Sequence, residues 1–158
     1  MEPASNEGAS STRGSCDVLA ARLRVNAATE IRVLAQEYGG GCSVHIRQYY
    51  LGDGDQFLPT QKGVSLPIIK LDDVLDAVRE LRDAQATPGT VAVVEKNARE
   101  EVRFAVATWE GTTKADIRTY FTKSGANERQ PGKGVRFNLG LLPDLERALE
   151  TLDRAVNG

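Results

Sequence analysis

The sequence predicts an α+β fold built from two repeats, each a run of antiparallel strands closed by a helix, the two packed as a pseudo-dimer within one chain. Three observations predict it. The chain matches itself at a constant offset of 71 residues, β-type alternation fills the first part of each copy, and an apolar stripe of helical spacing ends each copy.

The repeat comes first, because missing it misreads the whole fold. Asn26-Ala27 matches Asn97-Ala98, Ile46-Arg47-x-Tyr49-Tyr50 matches Ile117-Arg118-x-Tyr120-Phe121, and Lys62-Gly63-Val64 matches Lys133-Gly134-Val135. Between 26–84 and 97–155, 17 of 59 aligned pairs are identical, which is too regular for chance. Within each copy, Leu19 to Arg24 and Thr90 to Glu95 are strand candidates, followed by Ile31–Ala35 and Val102–Val106, rich in β-formers. A Gly-containing turn, Gly39-Gly40-Gly41 or Glu110-Gly111-Thr112, leads to an alternating strand. There Val44, Ile46 and Tyr50 share one face and His45, Arg47 and Tyr49 the other, with Ala115, Ile117 and Phe121 opposing Asp116, Arg118 and Tyr120 in the second copy. A polar loop at Gly54 or Gly125 precedes short strands at Val64–Leu66 and Val135–Phe137. Leu71, Val74, Leu75, Val78 and Leu81, mirrored by Leu142, Leu145, Leu149 and Leu152, recur at helical spacing. Asp72 and Asp73, or Pro143 and Asp144, favour helix initiation. The expected organisation is a disordered tail over 1–16, a first repeat over 17–84, a linker over 85–89 and a second repeat over 90–158. A unit of this size has a marginal core of its own, so the copies should pack together.

Composition narrows the function. The 158 residues are 41% hydrophobic and 27% charged, ordinary for a globular chain. No apolar run approaches a membrane span, and Met1 to Ser15 has no apolar centre of a signal peptide, so an intracellular setting is expected. Cys16 and Cys42 do not suggest a disulfide framework. A single histidine, His45, leaves zinc and His-assisted nucleophiles without partners, and reads as solvent-facing or hydrogen-bonded. Asp53 and Asp55 read as a turn, Pro131-Gly132-Lys133-Gly134 lacks P-loop spacing, and no cofactor or catalytic constellation emerges. What recurs is Arg, aromatic and Lys. Each has a plain structural reading as solvated charge, half-buried sheet residue or Lys-Gly turn. Together they suit a surface on which unpaired bases stack and cations track phosphates.

At these residues the chain resembles a known family. Ile-Arg-x-Tyr-aromatic, then Pro59-Thr60-Gln61-Lys62-Gly63-Val64-Ser65-Leu66, and Pro131-Gly132-Lys133-Gly134-Val135 in the second copy, is similar to the C-terminal domain of the transcriptional coactivator positive cofactor four. The resemblance implies a four-stranded antiparallel sheet plus helix, paired as a dimer that binds single-stranded or melted DNA in transcription or DNA maintenance. The implied contact positions are Tyr38 and Trp109, Arg47 and Arg118, Tyr50 and Phe121, and Lys62 and Lys133. The family's turn lysines are replaced by Gly39 and Gly41, or Glu110 and Thr112, with only Lys114 near.

Charge is unevenly spread. Residues 30–66 hold three basic against four acidic side chains, whereas 101–138 hold seven, including Arg129 and Arg136, against four. Phosphate contact dominates affinity for nucleic acid, so the second copy is expected to carry most of the binding. Two alternatives stand beside the DNA reading. One is an adaptor for transcription-machinery proteins with a degenerate nucleic-acid surface, and the other is an RNA binder. A monomeric pseudo-dimer open to further association, with no membrane partner, completes the expectation.

Overall fold

The computed structural model describes residues 16–84, 87–125 and 127–157, and of Tyr38 the backbone alone. Most of the expected tail, and residues 85 and 86 of the expected linker, lie outside the described residues. The first repeat runs β1 (Val18–Asn26), β2 (Thr29–Tyr38), β3 (Gly41–Leu51), β4 (Phe57–Pro67) and helix α1 (Leu71–Ala84). The second runs β5 (Gly89–Glu95), β6 (Glu100–Trp109), β7 (Thr112–Thr122), β8 (Arg129–Asn138) and α2 (Leu142–Asn157). Each sheet is a four-stranded antiparallel meander in chain order. Two repeats of a sheet plus helix are thus present as expected. Gly89, expected in the linker, already pairs with Val106.

Period-two alternation decides which face is buried. Ile31, Val33 and Ala35 of β2, Val44 and Ile46 of β3, and Val64 and Leu66 of β4 are buried, as are Val102, Phe104, Val106, Ala115, Ile117, Val135 and Phe137 in the second sheet. The helices close the core by exchange. Helix α1 makes its close backbone approaches to β5 and β6 of the second repeat, and α2 to β1 and β2 of the first. Strands β4 and β8 run beside each other, and the helices pack together. Neither repeat covers its own sheet, so one continuous core serves both.

Three sequence expectations need correction. Cys16, expected in a disordered tail, is disulfide-bonded to Cys42. Strand β1 runs antiparallel to β2, which brings the residue before it to the sheet end where β3 starts. The short strands expected at 64–66 and 135–137 extend back to Phe57 and Arg129, so Lys62-Gly63 and Lys133-Gly134 lie inside strands rather than in turns. His45 is half-buried with its Nε2 atom sealed from solvent and unpartnered, neither solvent-facing nor hydrogen-bonded there. The turns between the second and third strands of each repeat do need glycine-type backbone. Gly39 and Gly40 have φ of 62° and 83°, and Glu110 and Gly111 of 50° and 78°.

Candidate nucleic-acid interface

The repeated arginine is placed by a β-bulge. In the first sheet Arg47 faces Gly63 and Tyr49 faces Pro59, so Thr60, Gln61 and Lys62 bulge opposite Gln48. In the second, Arg118 faces Gly134 and Tyr120 faces Pro131, so Gly132 and Lys133 bulge opposite Thr119. Extra residues bend the strand and turn backbone groups out of the ladder. Arg47 Nη1 donates to the Thr60 carbonyl at 3.0 Å, and Arg118 Nη1 donates to the Gly132 carbonyl at 2.8 Å. Thr60 Oγ1 closes the wider bulge by donating to the Gln48 carbonyl at 2.8 Å and accepting from the Lys62 amide at 3.1 Å. The bulge therefore aims the guanidinium, and each repeat's lysine is one of the bulged residues. Both lysines are exposed.

The glycine after each lysine is a packing requirement. A Cβ on Gly63 would lie 2.8 Å from Arg47 Cα and from the Ile46 carbonyl oxygen, and one on Gly134 would lie 2.6 Å from the Ile117 carbonyl oxygen. Gly132 likewise leaves room for the Phe121 ring, 3.2 Å from where its Cβ would stand.

The outer sheet face carries a second pattern that sequence reasoning missed. The Arg32 guanidinium lies 4.2 Å from the Tyr49 ring centroid, and Arg103 lies 3.9 Å from that of Tyr120. Buried Glu30 accepts from Arg22 Nε at 2.8 Å and Arg32 Nε at 2.6 Å, and Glu101 accepts from Arg103 Nε and Arg129 Nη1, each at 2.6 Å. The signal was the repeated Glu-x-Arg, but its tyrosine partner sits on the next strand and only the register reveals it. These tyrosines have one face taken by arginine, so they are poor stacking platforms.

The remaining expected contacts divide. Trp109 is 60% exposed at the end of β6, with the Arg136 guanidinium 5.8 Å from its ring. Tyr50 is exposed, Phe121 half-buried and Lys114 half-buried on the Arg118 face. Arg129 is engaged by Glu101, by Glu95 at 3.4 Å and by the Ala98 carbonyl at 3.2 Å, so it braces the second sheet. Arg118 Nε meets Asp116 Oδ1 at 3.2 Å, and Arg136 Nη2 meets Asp116 Oδ2 at 3.0 Å. The seven basic residues of 101–138 therefore include four whose guanidinium groups already face carboxylates.

Where β4 meets β8, a groove of about 480 Å³ joins the two repeats. Arg47, Gly63 and Ser65 of the first line it with Lys96, Phe121 and Lys133 of the second. Lys96 Nζ bridges the repeats by donating to Ser65 Oγ at 3.3 Å, and lies 3.9 Å from Glu100. The groove holds cations, an aromatic side chain and the Glu100 carboxylate.

The family model for Transcriptional Coactivator p15 (PC4) matches residues 25–77 and again 96–148, two segments 71 residues apart. Among solved structures, the PC4 homologue of Burkholderia pseudomallei is 23% identical, covering 44% of this chain and 92% of its own, with a TM-score of 0.38. A bacteriophage T5 homologue of the eukaryotic coactivator, described as implicated in recombination-dependent DNA replication, is 22% identical over 44% of this chain and 82% of its own, with a TM-score of 0.37. No curated protein matches the chain.

Proposed function

This chain belongs to the transcriptional coactivator p15 (PC4) family and carries the family's unit twice, and from that premise we propose that it binds single-stranded nucleic acid, with DNA as the expected ligand, in transcription or DNA maintenance. The observation that carries the reading is the arginine aimed by a bulge carbonyl, with a lysine and an aromatic side chain around it, in one groove. Cations that hold position before binding lose less freedom on meeting a phosphate, and a guanidinium offers a fixed fork of donors. An aromatic edge beside them suits an unpaired base, which any sequence can supply. The reading contains no catalytic step, because the chemistry required is charge neutralisation and stacking. Among the described residues, no helix is long and apolar enough to cross a membrane, and an intracellular site of action is part of the proposal.

Fluorescence anisotropy with labelled oligo-dT tests it. If Arg47, Lys96 and Lys133 each meet a phosphate, the logarithm of affinity should fall against that of salt with a slope of about −2, at roughly 0.7 per phosphate on single strands. Oligo-U in a parallel titration separates DNA from RNA preference. Absence of salt-sensitive binding to either at low ionic strength would favour the adaptor reading, which the net charge of −2 and the carboxylate-paired arginines support.

A further inference from the structure

The two bulge arginines occupy the same place in their repeats but not the same electrostatic setting. Arg118 faces a carboxylate on its own strand, and that carboxylate also holds Arg136. The Asp116 side chain is only 12% exposed, so water screens the contact weakly. At the equivalent place in the first repeat stands His45. Its imidazole is held below its ordinary pKa by burial first, then by the charges of Arg47 and Lys96, so it is neutral at pH 7. Among the described residues Arg47 meets no carboxylate, and its guanidinium donates to the Thr60 carbonyl.

The surroundings differ in the same sense. At offset 71, Lys96 corresponds to Val25 and Ser65 to Arg136. The groove headed by Arg47 thus gains a lysine from the other repeat, while its counterpart gains an arginine already tied to Asp116. Counting His45, Ser65, Arg47, Lys96, Lys133 and Glu100 against the positions 71 residues away gives the same formal charge on both sides. Charge tallies are therefore blind to the difference, which lies in whether the central arginine has a carboxylate against it. A phosphate reaching Arg118 must share that guanidinium with Asp116, whereas one reaching Arg47 displaces no acid.

We propose that a single strand is held one-sidedly, its phosphates in the groove of Arg47, Lys96 and Lys133 with a base against Phe121, and that Asp116 is the residue that withholds Arg118 from a second strand. This rests on the nucleic-acid reading above and reverses the asymmetry that the charge count predicts. Phe121 and Lys133 belong to the second repeat but serve the arginine of the first.

The test is oligo-dT binding by the intact chain, with stoichiometry from titration at high protein concentration. Wild type should bind one short oligonucleotide per chain. Arg47→Ala should lose about tenfold more affinity than Arg118→Ala, the scale of one charge-assisted hydrogen bond. Asp116→Asn keeps the shape of the side chain and should add a second, weaker equivalent. His45→Asp should copy the closed site into the first repeat and weaken binding by about tenfold on the same basis, with circular dichroism confirming that the variant folds. Equal losses from the two arginine variants, or an Asp116→Asn protein that still binds one equivalent, would overturn the one-sided site while leaving the nucleic-acid reading standing. No binding by wild type would remove both.

Discussion

Glu30 is 1% exposed and nevertheless sits where an ionised carboxylate is wanted. Burial pushes its carboxyl up, but hydrogen bonds from Arg22 and Arg32, together with their charges, outweigh that and hold it below the usual range. Glu101 repeats the arrangement, with burial opposed by Arg103 and Arg129. The sign of the pH effect follows. A carboxylate with a lowered folded pKa stabilises the fold above its unfolded value of about 4.3, and that contribution is lost as pH falls through the lower folded value. Urea midpoints measured from pH 6 down to pH 3 should therefore decline, and Glu30→Gln should be less stable at pH 6 with a shallower decline. A Glu30→Gln profile parallel to wild type would show that the buried pair does not drive it. At this scale the sequence was only partly legible. The recurrence of Glu-x-Arg marked the positions, and the alternation put Arg47 and Tyr49 on the outer face correctly. The Arg32–Tyr49 stack was hidden because its members lie on neighbouring strands. The same holds for Asp116, whose two arginines come from β7 and β8, so a tally of basic residues does not show that two of them share one carboxylate.

At the level of elements, the bulge links sequence to site. Lys-Gly read as a turn because glycine and lysine are poor strand formers. Glycine stands there because β3 or β7 passes too close for a side chain. Gly134→Ala would force a Cβ to 2.7 Å from Arg118 Cα and closer still to the preceding carbonyl, so backbone must move rather than a side chain. We expect a cost of about 1–3 kcal/mol by chemical denaturation, the range for overpacking. The control is Gly140→Ala, where nothing lies within 4 Å of the new carbon and stability should be unchanged. Matching stabilities for the two variants would show that the bulge tolerates a side chain. The helices were the most legible elements, since five or four leucine-type positions at helical spacing leave no other reading. Their destination was not legible, because a stripe on α1 says that it is buried and not on which sheet. The Cys16–Cys42 pairing was hidden for a related reason: it depends on how β1 registers on β2, and 26 residues of separation carry no hint of that.

At the scale of the molecule, the pseudo-twofold explains why duplication and fusion have been followed by divergence. A residue near a true twofold meets its own copy, so a charge there meets a like charge. Arg79 and Glu150 are 71 positions apart, hence equivalent in the two repeats, and Arg79 Nη2 donates to Glu150 Oε2 at 3.0 Å. Arg79 Nε also meets Glu146 at 3.1 Å, and Arg82 bonds Glu146 from the same helix. A fused chain lets the two sides differ, so the helix seam becomes arginine against glutamate, which neither repeat could make with itself. A homodimer of the first repeat would set Arg79 on Arg79, and one of the second would set Glu150 on Glu150. Each repeat also lacks the helix that covers its sheet, which the other supplies. Produced as separate chains, 16–86 and 87–158 should therefore be poorly folded alone and should assemble one to one when mixed, as read by light scattering and circular dichroism. Arg79→Glu on the first half should weaken the pairing, and Glu150→Arg on the second should restore it, because the exchange rebuilds the opposed pair. Halves that fold as stable monomers, or that prefer homodimers over the mixed species, would mean that the seam does not select its partner. Mixed halves would also give the groove of Arg47 and Phe121 only in the hetero-species, since its lining comes from both repeats. Oligo-dT binding should then appear with assembly and not before it, tying the fold's asymmetric seam to the function proposed for it.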